Sequence, residues 1–143
     1  METILTMTKL NNKTTYTYAV GRRKSCVATV KLFAGKEDST VNGLVFDKYF
    51  PGQHSAITIL KPFEVTETKG KFYYQAKIVG GGKIGQLDAL VLAISRALKK
   101  LNEEVYKSPL RNAGLLTVDS RVRERRMVGT GGKARRQKQS PKR

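Results

Sequence analysis

The segment that decides the fold covers residues 85–101 and reads GQLDALVLAISRALKKL. Its large apolar side chains recur at the spacing of one stripe on an α-helix, and they are Leu87, Leu90, Val91, Ile94, Leu98 and Leu101. Asp88 lies near the positive N-terminal end of the predicted helix, and Arg96, Lys99 and Lys100 lie near its negative C-terminal end. Both charge signs therefore favour a helix here, and we expect its apolar stripe to pack on a β-sheet.

Two segments upstream have the alternating pattern of strands. Residues 25–33 and residues 72–79 each place apolar side chains on one face, namely Cys26, Ala28, Val30 and Leu32 in the first and Phe72, Tyr74, Ala76 and Ile78 in the second. Residues 34–38 predict a turn, and the short strand leading into Val41-Asn42-Gly43 would complete a hairpin with the first strand.

The other segments give shorter elements. Residues 46–50 favour a brief helical turn that Pro51-Gly52 closes, and the apolar residues 57–60 predict an extended stretch that Pro62 interrupts. Ser108-Pro109 offers an N-cap and a first-turn proline, and Gly114 a C-terminal stop, so a second short helix is expected at residues 110–113.

The length of the chain suits one domain, and the distribution of charge separates that domain from a basic tail. With 143 residues and 39% hydrophobic side chains it suits one ordinary domain. The last 23 residues carry ten Lys or Arg and a single acid, so they hold more than half of the formal charge of +17. We predict a flexible N-terminal segment at residues 1–15, a globular RNA-binding domain at 16–120 and an extended basic tail at 121–143. Such a tail orders against dense negative charge, and polyphosphate backbone is the commonest array of that kind.

Several function classes are disfavoured. Cys26 and His54 are each the only residue of their type, which excludes a disulfide framework and a thiolate zinc site, and we expect no metal and no cofactor. The eleven acids are scattered without a metal-binding or nucleophile pattern, so no catalytic activity is expected. The start of the chain lacks a secretory pattern, and the tail lacks an apolar stripe for a membrane, so nucleic acid is the favoured partner.

A glycine-rich stretch at residues 80–85 matches G-x-G-x-x-G between a predicted strand and a predicted helix. A dinucleotide fold needs a further strand to carry a ribose-binding acid, but Glu103 and Glu104 lie at the predicted helix end, which disfavours that interpretation. Two compatible interpretations remain. The glycines permit a tight crossing from strand to helix, or their amides and Lys83 approach phosphate at the helix N-terminus.

Further cations and aromatic residues have two interpretations each. Arg22, Arg23 and Lys24 form either an exposed strand entrance or a phosphate clamp, and the charge of +17 favours the clamp. Aromatic residues of the strands are more often core or cross-strand partners than base-stacking surfaces; those concerned are Tyr16, Tyr18, Phe72, Tyr73 and Tyr74. The arginines at 121–126 are either a solvated charge run or, as we favour, an RNA-gripping segment.

Together, these residues resemble ribosomal protein nine of the small subunit, in its bacterial-type form. The resemblance runs in order from about residue 16 to the end, through Gly21-Arg22-Arg23-Lys24-Ser25, Val41-Asn42-Gly43, Tyr49-Phe50, Gly80-Gly81-Gly82, Gly85-Gln86, Arg96-Ala97-Leu98, Ala113-Gly114-Leu115-Leu116-Thr117, Asp119, Arg121, Glu124-Arg125-Arg126, Lys133-Ala134-Arg135-Arg136 and Lys142-Arg143.

The resemblance implies a compact α/β (α+β) fold like the second domain of ribosomal protein five, with a sheet covered on one side by helices. It also implies a translation role in the small-subunit head, with ribosomal RNA and neighbouring head proteins as partners. The implied ribosomal RNA contacts are Arg22, Arg23, Lys24, Lys83, Arg111, Arg121, Arg123, Arg125, Arg126, Lys133, Arg135 and Arg136. Lys142 and Arg143 are implied to contact the anticodon stem-loop of peptidyl-site transfer RNA.

Two rival functions stay open on the sequence: an RNA-processing enzyme or its basic subunit, and a DNA-compacting protein. A bacterial cytoplasm is favoured over a plastid because no transit peptide is visible, although a plastid-encoded protein would also lack one.

Overall fold

The apolar stripe of residues 85–101 lies on a long helix that packs across two strands of a five-stranded sheet. The structure is a computed structural model that describes residues 15–128. Along the chain its elements are β1 (Tyr16–Arg23), β2 (Cys26–Ala34), β3 (Thr40–Val41), β4 (Leu44–Val45), α1 (Phe46–Tyr49), α2 (Gln53–Val65), β5 (Phe72–Val79), α3 (Lys83–Leu101) and α4 (Glu103–Asn112). The strand order is β1-β2-β5-β3-β4, and only the β3–β5 pair is parallel.

The long helix α3 organises the core. Leu90, Ile94 and Leu98 are fully buried, as the stripe predicted, but Leu101 is 45% exposed and was wrongly included. The helix begins at Lys83, before the Gly85 start that the stripe indicated. It packs chiefly on β1 and β2, and this apolar burial is the main stabilising term in the fold.

The cations of α3 also attach it to the edge strand. Arg96 donates a hydrogen bond to the carbonyl oxygen of Val20 at 2.8 Å, and Lys100 donates to that of Tyr18 at 2.9 Å. These two side chains thus pair with backbone groups of β1, in addition to complementing the helix dipole as predicted.

The sheet is covered by helices on one side, which confirms the expected α+β fold. Along β2, Ala28, Val30 and Leu32 are buried against the helices, whereas Val27 and Lys31 are exposed on the opposite side. We call that opposite side the open face. Within residues 15–128, no helix is both long enough and apolar enough to cross a membrane.

The hairpin predicted between β2 and the short strand β3 is wrong. Both edges of β2 are already paired, with β1 and with β5, so β3 pairs in parallel with β5 instead. Asn42 extends this pairing, because its side chain accepts from the backbone N–H of Ile78 at 2.8 Å and donates to the Ile78 carbonyl at 3.0 Å. The positive φ expected at Asn42-Gly43 is confirmed, with values of 50° and 81°.

The predictions for residues 57–62 and 108–113 are also wrong in part. Residues 53–65 form a helix that contains Pro62, because Ile59, Pro62 and Phe63 make a buried stripe at helical spacing that outweighs the proline's cost. The last helix begins earlier than predicted, at Glu103, where the Asn102 side chain accepts from the N–H of Val105 at 3.3 Å. The brief helical turn at α1 and the stop at Gly114, with φ 70°, are confirmed.

Candidate nucleic-acid interface

One end of the sheet brings together two separated stretches of the sequence. We call this end the glycine corner: it comprises the β1–β2 turn at residues 22–26 and the β5–α3 crossing at residues 80–83. The two parts are adjacent because Arg23 is paired with Cys26 and Val27 is paired with Val79. Thus the predicted clamp residues and the glycine-rich stretch lie at the same end.

Packing requires two glycines of this corner, Gly80 and Gly81. Gly80 and Gly81 have φ values of 82° and 61°, which side chains rarely adopt. A Cβ on Gly81 would collide with the Sγ of buried Cys26, and one on Gly80 would lie 2.5 Å from the carbonyl oxygen of Ser25. The interpretation as a tight strand-to-helix crossing is therefore confirmed, while an approach of phosphate to the helix amides stays a prediction.

A hydrogen-bond network fixes the first turn of α3 at the corner. The Tyr49 hydroxyl donates to Gln86 Oε1 at 3.0 Å and accepts from Asn42 Nδ2 at 3.3 Å, and Gln86 Nε2 donates to the Gly80 carbonyl at 3.0 Å. Lys83 Nζ donates to the Tyr49 carbonyl at 3.1 Å and lies 3.5 Å from the centre of its ring. The exposed ammonium of Lys83 is consequently held in one place.

Arg22 and Lys24 extend the positive surface of the corner. Both residues are exposed, and Lys24 has a φ of 51° at the tight turn between β1 and β2. Their position beside the N-terminal end of α3 gives three exposed cations, with Lys83, near the positive end of a helix dipole. Such an arrangement can attract phosphate groups.

Arg23 is used differently from its two neighbours. Its side chain is only 13% exposed and forms ion pairs with Asp119, at 3.1 Å, and Asp88, at 3.6 Å. The same guanidinium donates to the carbonyl oxygens of Arg121, at 2.8 Å, and Asp119, at 3.4 Å. We call these four residues the Arg23 cluster, and it fixes the chain to the domain at the start of the basic segment.

The charges within the Arg23 cluster support one another. Hydrogen bonds from the side chain and backbone of Arg121, together with the charges of Arg121 and Arg23, hold the pKa of the Asp119 carboxyl well below its usual range. The same contact raises the pKa of Arg121. Because the folded-state pKa of Asp119 is lowered, the cluster is complete above the usual carboxyl pKa and weakens only as the pH falls below it.

We expect Arg23→Gln to loosen residues 115–121 while Arg22→Gln leaves them unchanged. The Arg23 change removes two ion pairs and two hydrogen bonds at a largely buried site, so unfolding should become easier by about 1–3 kcal/mol. Amide hydrogen exchange at residues 115–121 measures the loosening. Equal exchange in both variants would show that Arg23 does not hold this segment.

A cavity beside the Arg23 cluster adds a cation that the sequence did not single out. It lies between β1, α2, α3 and the segment after α4, and Lys61 lines it together with Arg22. Residues more than 90 positions apart meet here, as in the Arg23–Asp119 pair. No local pattern in the sequence indicates such a contact.

Some of the remaining predicted RNA contacts lie within the described residues, and the others lie outside them. Arg111, in the last turn of α4, is exposed, and so are Arg121, Arg123, Arg125 and Arg126. Lys133, Arg135, Arg136, Lys142 and Arg143 lie outside residues 15–128. Within that range, no three His, Cys, Asp or Glu side chains form a group that could hold a metal ion.

Comparisons with known proteins identify relatives of this chain. Residues 21–143 match the family model described as ribosomal protein S9/S16. The chain is 45% identical to the small ribosomal subunit protein uS9 of Leifsonia xyli over 125 residues, covering 87% of this chain and 74% of that relative. It is 44% identical to a protein of the same name from Thermus thermophilus over 126 residues, covering 88% of this chain and 97% of the relative.

Proposed function

Because this chain belongs to the ribosomal protein S9/S16 family, we propose that it binds small-subunit ribosomal RNA through the glycine corner and its basic C-terminal residues. It is a structural protein of the small ribosomal subunit and not an enzyme, with ribosomal RNA and other ribosomal proteins as its partners. We further propose that residues 16–120 are the RNA-binding domain, that residues 121–143 are an arm, and that Lys142 and Arg143 contact the anticodon stem-loop of peptidyl-site transfer RNA.

The observation that carries this proposal is the Arg23 cluster. It attaches the start of the arm next to the glycine corner, since Arg23 ends β1 and donates to the carbonyl oxygen of Arg121 at 2.8 Å. The exposed arginines at 121–126 therefore begin beside Arg22 and Lys24. Cations of the glycine corner and of residues 121–126 thus lie on either side of the Arg23 cluster, an arrangement that suits the closely spaced phosphates of folded RNA.

The mechanism is electrostatic. Each Lys or Arg that meets a phosphate releases condensed counterions, so binding of the isolated protein to RNA should weaken steeply with salt. Guanidinium groups also bind phosphate through two parallel hydrogen bonds, which orients them as well as attracting them. Specificity comes from RNA shape and from neighbouring proteins, because phosphate contacts carry no sequence information directly.

We expect removal of Lys142 and Arg143 to leave subunit incorporation intact but weaken peptidyl-site transfer RNA binding about two- to thirtyfold, the range for two exposed charge contacts. Filter binding of transfer RNA to subunits that carry the shortened chain measures the effect. Replacement of Arg135 and Arg136 by Gln is the matched control, and it should affect incorporation instead. Unchanged transfer RNA affinity and unchanged reading-frame maintenance in the shortened chain would disprove the role of the end of the arm.

Ultraviolet crosslinking in cells, with sequencing of the attached RNA, separates this proposal from its rivals. Crosslinks to the small-subunit head RNA, with an anticodon-loop signal that is lost without Lys142 and Arg143, would support both parts. Precursor RNA would indicate an RNA-processing role, and genomic DNA a compacting role. The bacterial relatives favour a ribosome of the bacterial cytoplasm, and a plastid ribosome is the alternative.

A further inference from the structure

The open face of the sheet has a charge pattern that the glycine corner and the arm do not explain. Strands β1, β2 and β5 contain four cations, Arg22, Arg23, Lys31 and Lys77, and no Asp or Glu. Arg23 belongs to the Arg23 cluster, but Lys31 and Lys77 are exposed on the side away from the helices. Positive charge without acids within these strands indicates a surface suited to a polyanion.

The strand register arranges these side chains in adjacent rows. Tyr18 is paired with Lys31, and Lys31 with Gln75, in one row across the three strands. In the next row, Thr29 is paired with Lys77. A shallow groove follows both rows and is lined by Thr29, Lys31, Gln75 and Lys77, with the β3–β4 turn at Asn42 and Gly43 as part of its lining. The groove therefore offers ammonium, amide and hydroxyl groups side by side.

Aromatic rings lie toward the end of this face that is opposite the glycine corner. Tyr16 and Tyr18 are each 47% exposed, whereas Phe33 and Tyr73, which belong to the neighbouring row, stack on each other with ring centres 5.0 Å apart and are buried. Lys31 Nζ lies 5.1 Å from the centre of the Tyr16 ring. The sequence favoured cross-strand packing for these aromatics, and that holds for Phe33 and Tyr73, but two tyrosine rings remain accessible.

We propose that this face binds an unpaired, single-stranded segment of ribosomal RNA, with a base stacked on Tyr18 and phosphates at Lys31 and Lys77. The proposal rests on the function proposed above. Exposed aromatic rings stack on bases only where the bases are unpaired, so a single strand fits this face better than a duplex. The lack of acids in the three strands and the lysines of the groove favour RNA over a protein partner.

The first test is ultraviolet crosslinking of small subunits assembled with the full chain, followed by digestion and mass spectrometry. We expect a nucleotide adduct on the peptide that carries Tyr18 or the one that carries Lys31, in addition to adducts on the arm. Adducts confined to the arm and the glycine corner would overturn this proposal and leave the proposed function standing. A crosslink from the open face to a protein would also overturn it, and a lack of RNA adducts anywhere would overturn both.

The second test uses the purified full chain with a single-stranded RNA of about twelve nucleotides. Tyr18→Ala should weaken binding at least about fivefold without changing the salt dependence, and Tyr18→Phe, which keeps the ring, should bind within about twofold of the original chain. Lys31→Gln with Lys77→Gln should lower the slope of log K against log salt by about 1.4, since each lost phosphate contact contributes about 0.7.

Matched controls separate a local site from general charge. Lys48→Gln with Lys69→Gln removes the same charge from α1 and from the loop before β5, outside strands β1, β2 and β5. If this control lowers affinity for the single strand as much as the Lys31 and Lys77 pair does, the open face is not a specific site. The Tyr18→Ala effect should disappear with duplex RNA, and an equal effect on duplex would contradict base stacking. Thermal unfolding confirms that each variant is folded.

Discussion

Removal of residues 121–143 is expected to lower the affinity of the protein for small-subunit head RNA at least about a thousandfold and to prevent stable incorporation into the subunit. The deletion removes ten Lys or Arg and one acid, which reduces the formal charge from +17 to +8. If each of the ten cations meets one phosphate, the slope of log K against log salt should fall by about 7. Titrations at several salt concentrations measure both quantities.

The shortened chain should still fold. The buried hydrophobic core and the apolar residues packed against it end at Leu116, before the deleted part, and the ion pairs of Arg23 with Asp88 and Asp119 are kept. Circular dichroism and thermal unfolding check this expectation. Loss of RNA binding in a folded chain would then be attributable to the arm.

Two full-length controls separate charge from chain length. A chain with Gln at the ten cationic positions of the arm should bind as weakly as the deletion, because length alone supplies no phosphate contact. A chain with the arm sequence scrambled should keep the salt slope but lose preference for its RNA, since slope depends on charge and specificity depends on shape. Normal incorporation of the deletion would contradict the assignment of anchoring to the arm.

Gly21→Ala is expected to produce a large loss of stability. Gly21 lies on β1, where the backbone of α3 packs closely against the strand. A Cβ at this position would collide with the carbonyl oxygen of Ala89 and lie 2.6 Å from the backbone nitrogen of Ala93. Both are backbone atoms of a helix, so no side-chain rotation can relieve the contact and α3 would have to move away from the sheet.

The expected cost is about 3 kcal/mol of unfolding free energy, at the upper end of the usual range for overpacking, or about 10–20 °C in Tm. Gly82→Ala is the matched control, because Gly82 has a φ of −104° and no atom within 4 Å of the position of an added Cβ. Thermal unfolding of both variants by circular dichroism measures the difference. A Gly21→Ala protein as stable as the control would contradict the close approach of α3 to β1.

The same glycine connects the fold to the proposed interface. Gly21 immediately precedes Arg22, Arg23 and Lys24, so a shift of α3 away from β1 would move the clamp residues relative to the glycine-rich crossing. A destabilised Gly21→Ala chain is therefore expected to lose RNA affinity as well, whereas Arg22→Gln should lose only the contribution of one phosphate contact without loss of stability.

Three elements of the fold and the class of partner could be predicted from the sequence alone. The stripe on residues 85–101 and the alternation in β2 and β5 predicted elements that the structure confirms, because each pattern repeats over a single element and its burial depends on nearby residues. The concentration of charge in the last 23 residues indicated a nucleic-acid partner, since charge counts do not depend on folding.

Tertiary structure decided the rest. Only the assembled sheet shows that β3 pairs with β5 and not with β2, because strand pairing depends on which edges remain unoccupied. Packing also made Pro62 part of a helix, since the burial of its apolar neighbours outweighs the local preference. Arg22 and Arg23 are adjacent residues of the same type, yet Arg23 forms ion pairs with Asp88 and Asp119, which belong to distant segments. Long-range contacts of this kind have no local signal in the sequence.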